Sequence, residues 1–153
     1  MTELVIRRAT AIDAAKIREL SRAAYAKWVP LIGREPLPMT ADYARAVEEH
    51  VIDLLERDGK LVALIEIVPA EDHLLIENVA VDPAEQGKGH GDRLLAHAER
   101  MALEHGIDEL RLYTNEKFAA NIAYYAKRGY REYKREELVP GNIAVHMRKR
   151  LSE

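Results

Sequence analysis

Three groups of residues in this chain could do chemistry. The first is the run Gln86–Gly87–Lys88–Gly89–His90–Gly91–Asp92, three glycines in five positions directly before an amphipathic stretch. Glycine is unfavourable in helix and strand alike, so bare backbone here implies that something must approach the main chain. A helix N-terminus presents unpaired N–H groups and the positive end of the macrodipole, and glycines let those amides converge on an anion such as a phosphate. The second group is the adjacent pair Tyr124–Tyr125. Adjacent tyrosines on a helix point about 100° apart, so one can pack in the core while the other serves a site. The third is Glu77, in the apolar run LLIENVAV. A carboxylate inside such a strand needs a reason.

Much is excluded. A nucleotide-binding P-loop needs Ser or Thr after Gly-Lys, whereas Gly87–Lys88 is followed by Gly89. A dinucleotide fingerprint begun at Gly89 reaches Leu94 where its last glycine belongs. With 23 Lys and Arg against 26 Asp and Glu, the net charge of −3 makes no electrostatic case for nucleic acid as a partner. The six histidines form no HExxH pair and cysteine is absent, so no metal site is expected. The lack of cysteine fits a reducing compartment, and a cytoplasmic location is expected. The stretch MTELVIRRAT is too polar for the apolar core expected of a signal peptide, and no apolar run is long enough for a membrane-spanning helix.

The elements that must hold these groups follow from periodicity. Residues 4–9 read as a strand, 12–27 as a helix, 28–40 as an apolar loop with three prolines, and 41–50 as a helix that Thr40 can cap. Strands 51–57 and 61–69 flank the turn Asp58–Gly59–Lys60, and 73–83 is a further strand. Leu94, Leu95, Ala98, Met101 and Ala102 lie on one helical face, in a helix stopped by Gly106. Strand 109–115, helix 116–128 and strands 129–138 and 142–150 complete a chain of 153 residues read as one domain. The expected class is α/β: a mixed, mostly antiparallel central sheet with helices on both faces.

The segment IENVAVDPAEQGKGHGDRLLAHAE, with its Gln86-x-x-Gly89-x-Gly91 signature, resembles motif A of the GNAT superfamily of acetyl-CoA-dependent N-acetyltransferases. NIAYYAKRGY, residues 121–130, resembles motif B, and the order of elements agrees along nearly the whole chain. The resemblance implies a GNAT-like acyl-CoA N-acyltransferase fold in which the strand of motif A splays from the next parallel strand. Acetyl-CoA is then the acyl donor, its pantetheine arm pairing with the backbone of Val79 and Val81. Its pyrophosphate would rest on the amides of Gln86, Gly87, Lys88, Gly89, His90, Gly91 and Asp92. Tyr125 matches the general acid and Glu77 the base, acting through water. Val79 N–H is the expected donor to the developing oxyanion. Many relatives carry an asparagine seven residues before the tyrosine; Phe118 stands there, leaving Asn121, ahead of Asn115, as the cofactor contact.

The family's acceptor wall corresponds to loop 28–40. Trp28, Leu31 and Ile32 give it an apolar lining, with Arg34 and Glu35 as its charges. The expected reaction is acetyl transfer to a primary amine of a small molecule or peptide. Two rivals stand beside it: a non-catalytic acyl-CoA sensor, which would need the cradle but not the acid, and an acyltransferase with another donor or acceptor. Dimers are common in this fold, and the alternating charges of YREYKREE suit a strand with one solvent face.

Overall fold

A computed structural model describes residues 3–151. Seven strands form one sheet: β1 (Leu4–Arg8), β2 (Val51–Arg57), β3 (Lys60–Pro69), β4 (Leu74–Val81), β5 (Glu109–Asn115), β6 (Arg131–Val139) and β7 (Asn142–Arg150). Their spatial order is β1-β2-β3-β4-β5-β7-β6, and β4–β5 is the parallel pair. Helices α1 (Ala14–Tyr25) and α4 (Tyr43–Glu49) cover one face; α5 (His90–Glu104) and α6 (Ala119–Lys127) cover the other. The mixed, mostly antiparallel α/β architecture expected from the periodicities is present.

Each face has its own core. Ile17, Leu20 and Ala24 of α1 and Tyr43 of α4 pack on Ile52, Leu54 and Leu64. Leu94, Leu95, Ala98 and Ala102 of α5 pack on Leu55, Ile65, Ile67 and Leu110. Strand β3 is buried on both sides, which is why it reads as an almost unbroken apolar run. The Asp58–Gly59 turn takes φ 51° and 83°, the left-handed pair that a two-residue hairpin requires.

Loop 28–40 is more ordered than its prolines suggest. It holds two single-turn helices, α2 (Val29–Ile32) and α3 (Leu37–Thr40), each with proline in its first turn, where the missing N–H costs nothing. The cap of α4 also differs from expectation: Asp42, not Thr40, accepts the Arg45 amide at 3.2 Å. Helix α6 starts at Ala119 rather than 116, because Asn115 Oδ1 accepts the Lys117 amide at 2.9 Å and holds those residues in a turn.

Two irregularities of β4 prepare the site. Glu66 of β3 lies opposite Asn78 and Ile67 opposite Ile76, so Glu77 is the extra residue of a β-bulge. The bulge switches the alternation. Leu74 and Ile76 before it, and Val79 and Val81 after it, belong to the α5 side, while Ala80 belongs to the α1 side. On its other edge β4 pairs with β5 only from Leu74–Leu110 to Ile76–Leu112. Beyond Ile76 the two strands part, leaving the β4 edge from Glu77 to Val81 without a β5 partner.

Candidate active site

The gap between β4 and β5 joins two clefts. The first, about 450 Å³, is lined by the glycine loop, Val79 and Val81 of β4, and Tyr124, Tyr125 and Arg128 of α6. The second, about 340 Å³, lies under α2, α3 and α4 and contains Glu66, Glu77, Asn78 and Tyr113. Tyr25, Val79, Asn121 and Tyr125 line both.

The glycines of the loop serve two purposes. Gly87 and Gly89 take φ 81° and 83°, the left-handed conformation that side chains resist, and Gly89 caps α5. No side chain caps the first turn of α5, so the amides of residues 90–92 lack the carbonyl that deeper turns would supply. Gly91 has an ordinary helical φ. A Cβ there would sit 2.6 Å from the Tyr124 hydroxyl, so its bareness serves packing between α5 and α6. That hydroxyl donates to Asp92 Oδ1 at 2.7 Å, Arg128 also binds Asp92, and the Arg128 guanidinium lies 3.5 Å from the Tyr124 ring centre. The Asp92 side chain therefore ties the two helices together.

His90 sits in the same loop with its side chain turned inward. It is buried, with Nε2 3.1 Å from Glu85 Oε1 and 3.3 Å from Arg57. Arg57 clamps Glu85 with two hydrogen bonds, and this pairing, then that with His90, holds the Glu85 carboxyl down at about 2. Lys88 stays outside, 3.6 Å from the same carboxylate. The loop lines the cleft, and the ionic knot at Glu85 supports it.

In the second cleft, Glu77 accepts a 2.8 Å hydrogen bond from the Tyr113 hydroxyl. Glu66, its neighbour across the bulge, is buried 2.6 Å from His50 Nδ1; burial raises its pKa and the His50 contact opposes the rise. Tyr125 stands at the junction. Burial pushes its phenol up to about 12, against a smaller opposing effect of Arg128, so it keeps its proton throughout the neutral range. Tyr25 reaches the same junction, and its hydroxyl donates to the Val79 carbonyl at 3.2 Å.

The structure brings Tyr125, Glu77, Val79, Val81, the glycine loop and Asn121 around one gap. Asn115 lines only the second cleft, where its amide donates to Asn142 at 3.0 Å. The three apolar loop residues separate. Ile32 lines the second cleft, Trp28 lines the glycine-loop cleft and stacks on Phe118 at 4.3 Å, and Leu31 is exposed and lines neither. Sequence reasoning missed Glu66, His50, Tyr113 and Tyr25. Glu66 carried a signal, since it interrupts the apolar run LVALIEIV just as Glu77 interrupts its own. The other three have no local mark.

The sequence pattern of the Acetyltransferase (GNAT) family matches residues 15–130. The chain belongs to this family. It is an acyltransferase by class. An S-alkylcysteine N-acetyltransferase of Bacillus subtilis (strain 168) is 29% identical over 164 residues, covering 97% of this chain and 90% of its own length. A second protein of that organism, YxbD, is 35% identical over 78 residues, about half of each chain (51% and 48%). Among solved structures, the PaiA N-acetyltransferase of Thermoplasma acidophilum in complex with coenzyme A superposes with a TM-score of 0.81 at 19% identity, covering 97% of this chain and 99% of that one. The ribosomal-protein-S18-alanine N-acetyltransferase of Escherichia coli gives 0.80 at 24%, over 99% and 96%. At those identities the GNAT chain shares their fold, and its site must be argued from its own residues.

Proposed function

We propose that this GNAT protein moves the acetyl group of acetyl-CoA to a primary amine of a small molecule or peptide by direct attack. The observation that carries the reading is the junction. A cleft floored by left-handed glycines and a helix N-terminus meets a cleft holding carboxylates, and a protonated tyrosine stands between them.

The residues fit such a donor. Amides from Gln86 to Asp92 and the dipole of α5 would hold the pyrophosphate. The β4 edge at Val79 and Val81, left without a β5 partner, would take the pantetheine arm as a short added strand, with Asn121 beside it. Bound acetyl-CoA supplies an activated thioester. Glu77, oriented by Tyr113, accepts the proton of the attacking amine, directly or through a water. Val79 N–H supports the charge that develops on the carbonyl oxygen, and Tyr125 gives a proton to the departing sulfur. The Bacillus relative's named acceptor, an alkylated amino compound, suits a cleft whose wall includes Ile32, Leu37 and Leu138.

Isothermal titration calorimetry with acetyl-CoA tests the donor, with ATP and NAD as controls. Micromolar binding of acetyl-CoA alone, followed by amine-dependent thiol release, supports the reading; no binding of acetyl-CoA refutes it.

A further inference from the structure

Each carboxylate that lines the second cleft has a hydrogen-bond partner, and one of its two arginines is in an ion pair. Glu66 is held by His50 and Glu77 by Tyr113. Two arginines line the cleft, and Arg45 is paired with Glu49. Arg34 is not paired. Among the described residues it enters no ion pair, and its one hydrogen bond runs from Nη1 to the carbonyl of the next residue, Glu35, at a long 3.3 Å. Its Nε is buried and has no partner.

The nearest acid in sequence is withheld from it. Glu35 receives both Nη atoms of Arg22, at 2.7 and 3.3 Å, and Arg22 is anchored in turn by the Met39 carbonyl at 2.8 Å. Gly33, at φ 74°, ends α2 in a left-handed turn, and the rigid Pro36 follows, so Arg34 is set on the cleft wall by backbone geometry. A guanidinium is a planar fork of donors that matches a carboxylate, and a buried N–H without an acceptor is costly to leave unmade.

We propose that Arg34 binds a carboxylate of the acceptor, so that the acceptor is an amino acid with an apolar side chain. This rests on the acetyl-transfer reading above. The cleft is complementary to such a zwitterion. Its carboxylates, buried Glu66 and half-buried Glu77, would receive the ammonium end, Arg34 would receive the carboxylate, and Ile32, Leu37 and Leu138 would meet the side chain. The anion is a monoanion, because a lone free guanidinium among Asp42, Glu49, Glu66 and Glu77 does not supply the charge that a phosphate dianion needs.

The test is acetyl-CoA-dependent thiol release by the full chain with leucine, methionine and phenylalanine, their carboxamides, and the amines that lack the carboxyl group altogether. The amides have the more easily deprotonated amine, so intrinsic reactivity favours them over the acids. The wild type is expected to prefer acids by at least about tenfold in kcat/KM, because a site built for a polar group rejects its absence. Arg34→Gln should abolish that preference by raising KM for the acids, with the affinity for acetyl-CoA unchanged, and Arg34→Lys should restore part of it. Equal use of acids and amides by the wild type, or an acid preference that survives Arg34→Gln, overturns the proposal. So does intact acetyl-CoA binding with no turnover of any panel member, which leaves the donor site standing. Failure to bind acetyl-CoA at all removes the transferase reading and this proposal together.

Discussion

The two clefts share Tyr125 and Val79 but are made of different material. The glycine-loop cleft is built largely from consecutive backbone, running from β4 through left-handed glycines into the first turn of α5. The carboxylate cleft is built from side chains on β3, β4, β5 and three short helices, brought together by a bulge and a parting of strands. Backbone recognition depends on conformation and tolerates change in the surrounding side chains. Side-chain recognition depends on which atoms are present, so single substitutions there change chemistry or specificity while the fold stands.

That contrast can be broken most severely at the two residues proposed to move protons. Tyr125→Phe and Glu77→Gln are each expected to lower kcat about 100-fold, the ordinary contribution of a positioned acid or base, with the Kd of acetyl-CoA within about twofold of wild type. Steady-state kinetics and calorimetry on the same preparations check both halves; a large loss of cofactor affinity would show that the division between clefts is false. Because the Tyr125 phenol is raised to about 12, no limb of the pH–rate profile between pH 5 and about 10 should belong to it.

The next effect is conformational. Nothing lies within 4 Å of a Cβ built on Gly89, so Gly89→Val acts through its φ of 83° and not through a clash. It should raise the Kd of acetyl-CoA roughly tenfold, whereas Gly89→Asn, which tolerates left-handed backbone, should bind nearly as well as wild type. Equal losses in the two variants would mean that the loop needs empty space rather than a backbone shape.

Smaller still is Gly91→Ala, whose methyl must displace the Tyr124 hydroxyl from Asp92. We expect it to cost about 1 kcal/mol in denaturant unfolding, with Tyr124→Phe costing a similar amount and the double variant little more than either. Full additivity would place the two residues in separate interactions.

The mildest test is of the knot below the loop. The Glu85 pKa is depressed from 4.5 to about 2, so its contribution to stability is complete above about pH 4.5 and lost as pH falls through 2. The gap in urea midpoint between wild type and Glu85→Gln should be constant from pH 7 to 5 and close below that. A gap independent of pH would remove Glu85 ionisation from the support of the loop.

The same contrast explains what could be read in advance. The strands, helix α5 and the glycine loop were legible because each depends on neighbours in sequence: alternation, a 3.6-residue period, glycine before a helix. Even there Gly91 was grouped with Gly87 and Gly89, although it answers to a tyrosine 33 positions further on. Glu77 was legible as a misplaced charge, but the bulge that exposes it depends on the register with β3 and left no trace in the strand itself. The roles of His50 and Tyr113 depend on partners 16 and 36 positions away, and no local pattern marks such residues.

The parting of β4 and β5 has a thermodynamic consequence. Every other neighbouring pair in the sheet is sewn by five to seven residue pairs, and this one by three. Residues 78–81 and 113–115 therefore flank a seam where amide hydrogen exchange should proceed through local opening more readily than in the buried strand β3. A ligand lying along the seam as an added strand suppresses that opening. At a hundred times its Kd it also stabilises the whole chain by about 2.7 kcal/mol, so melting temperature becomes a direct gauge of occupancy.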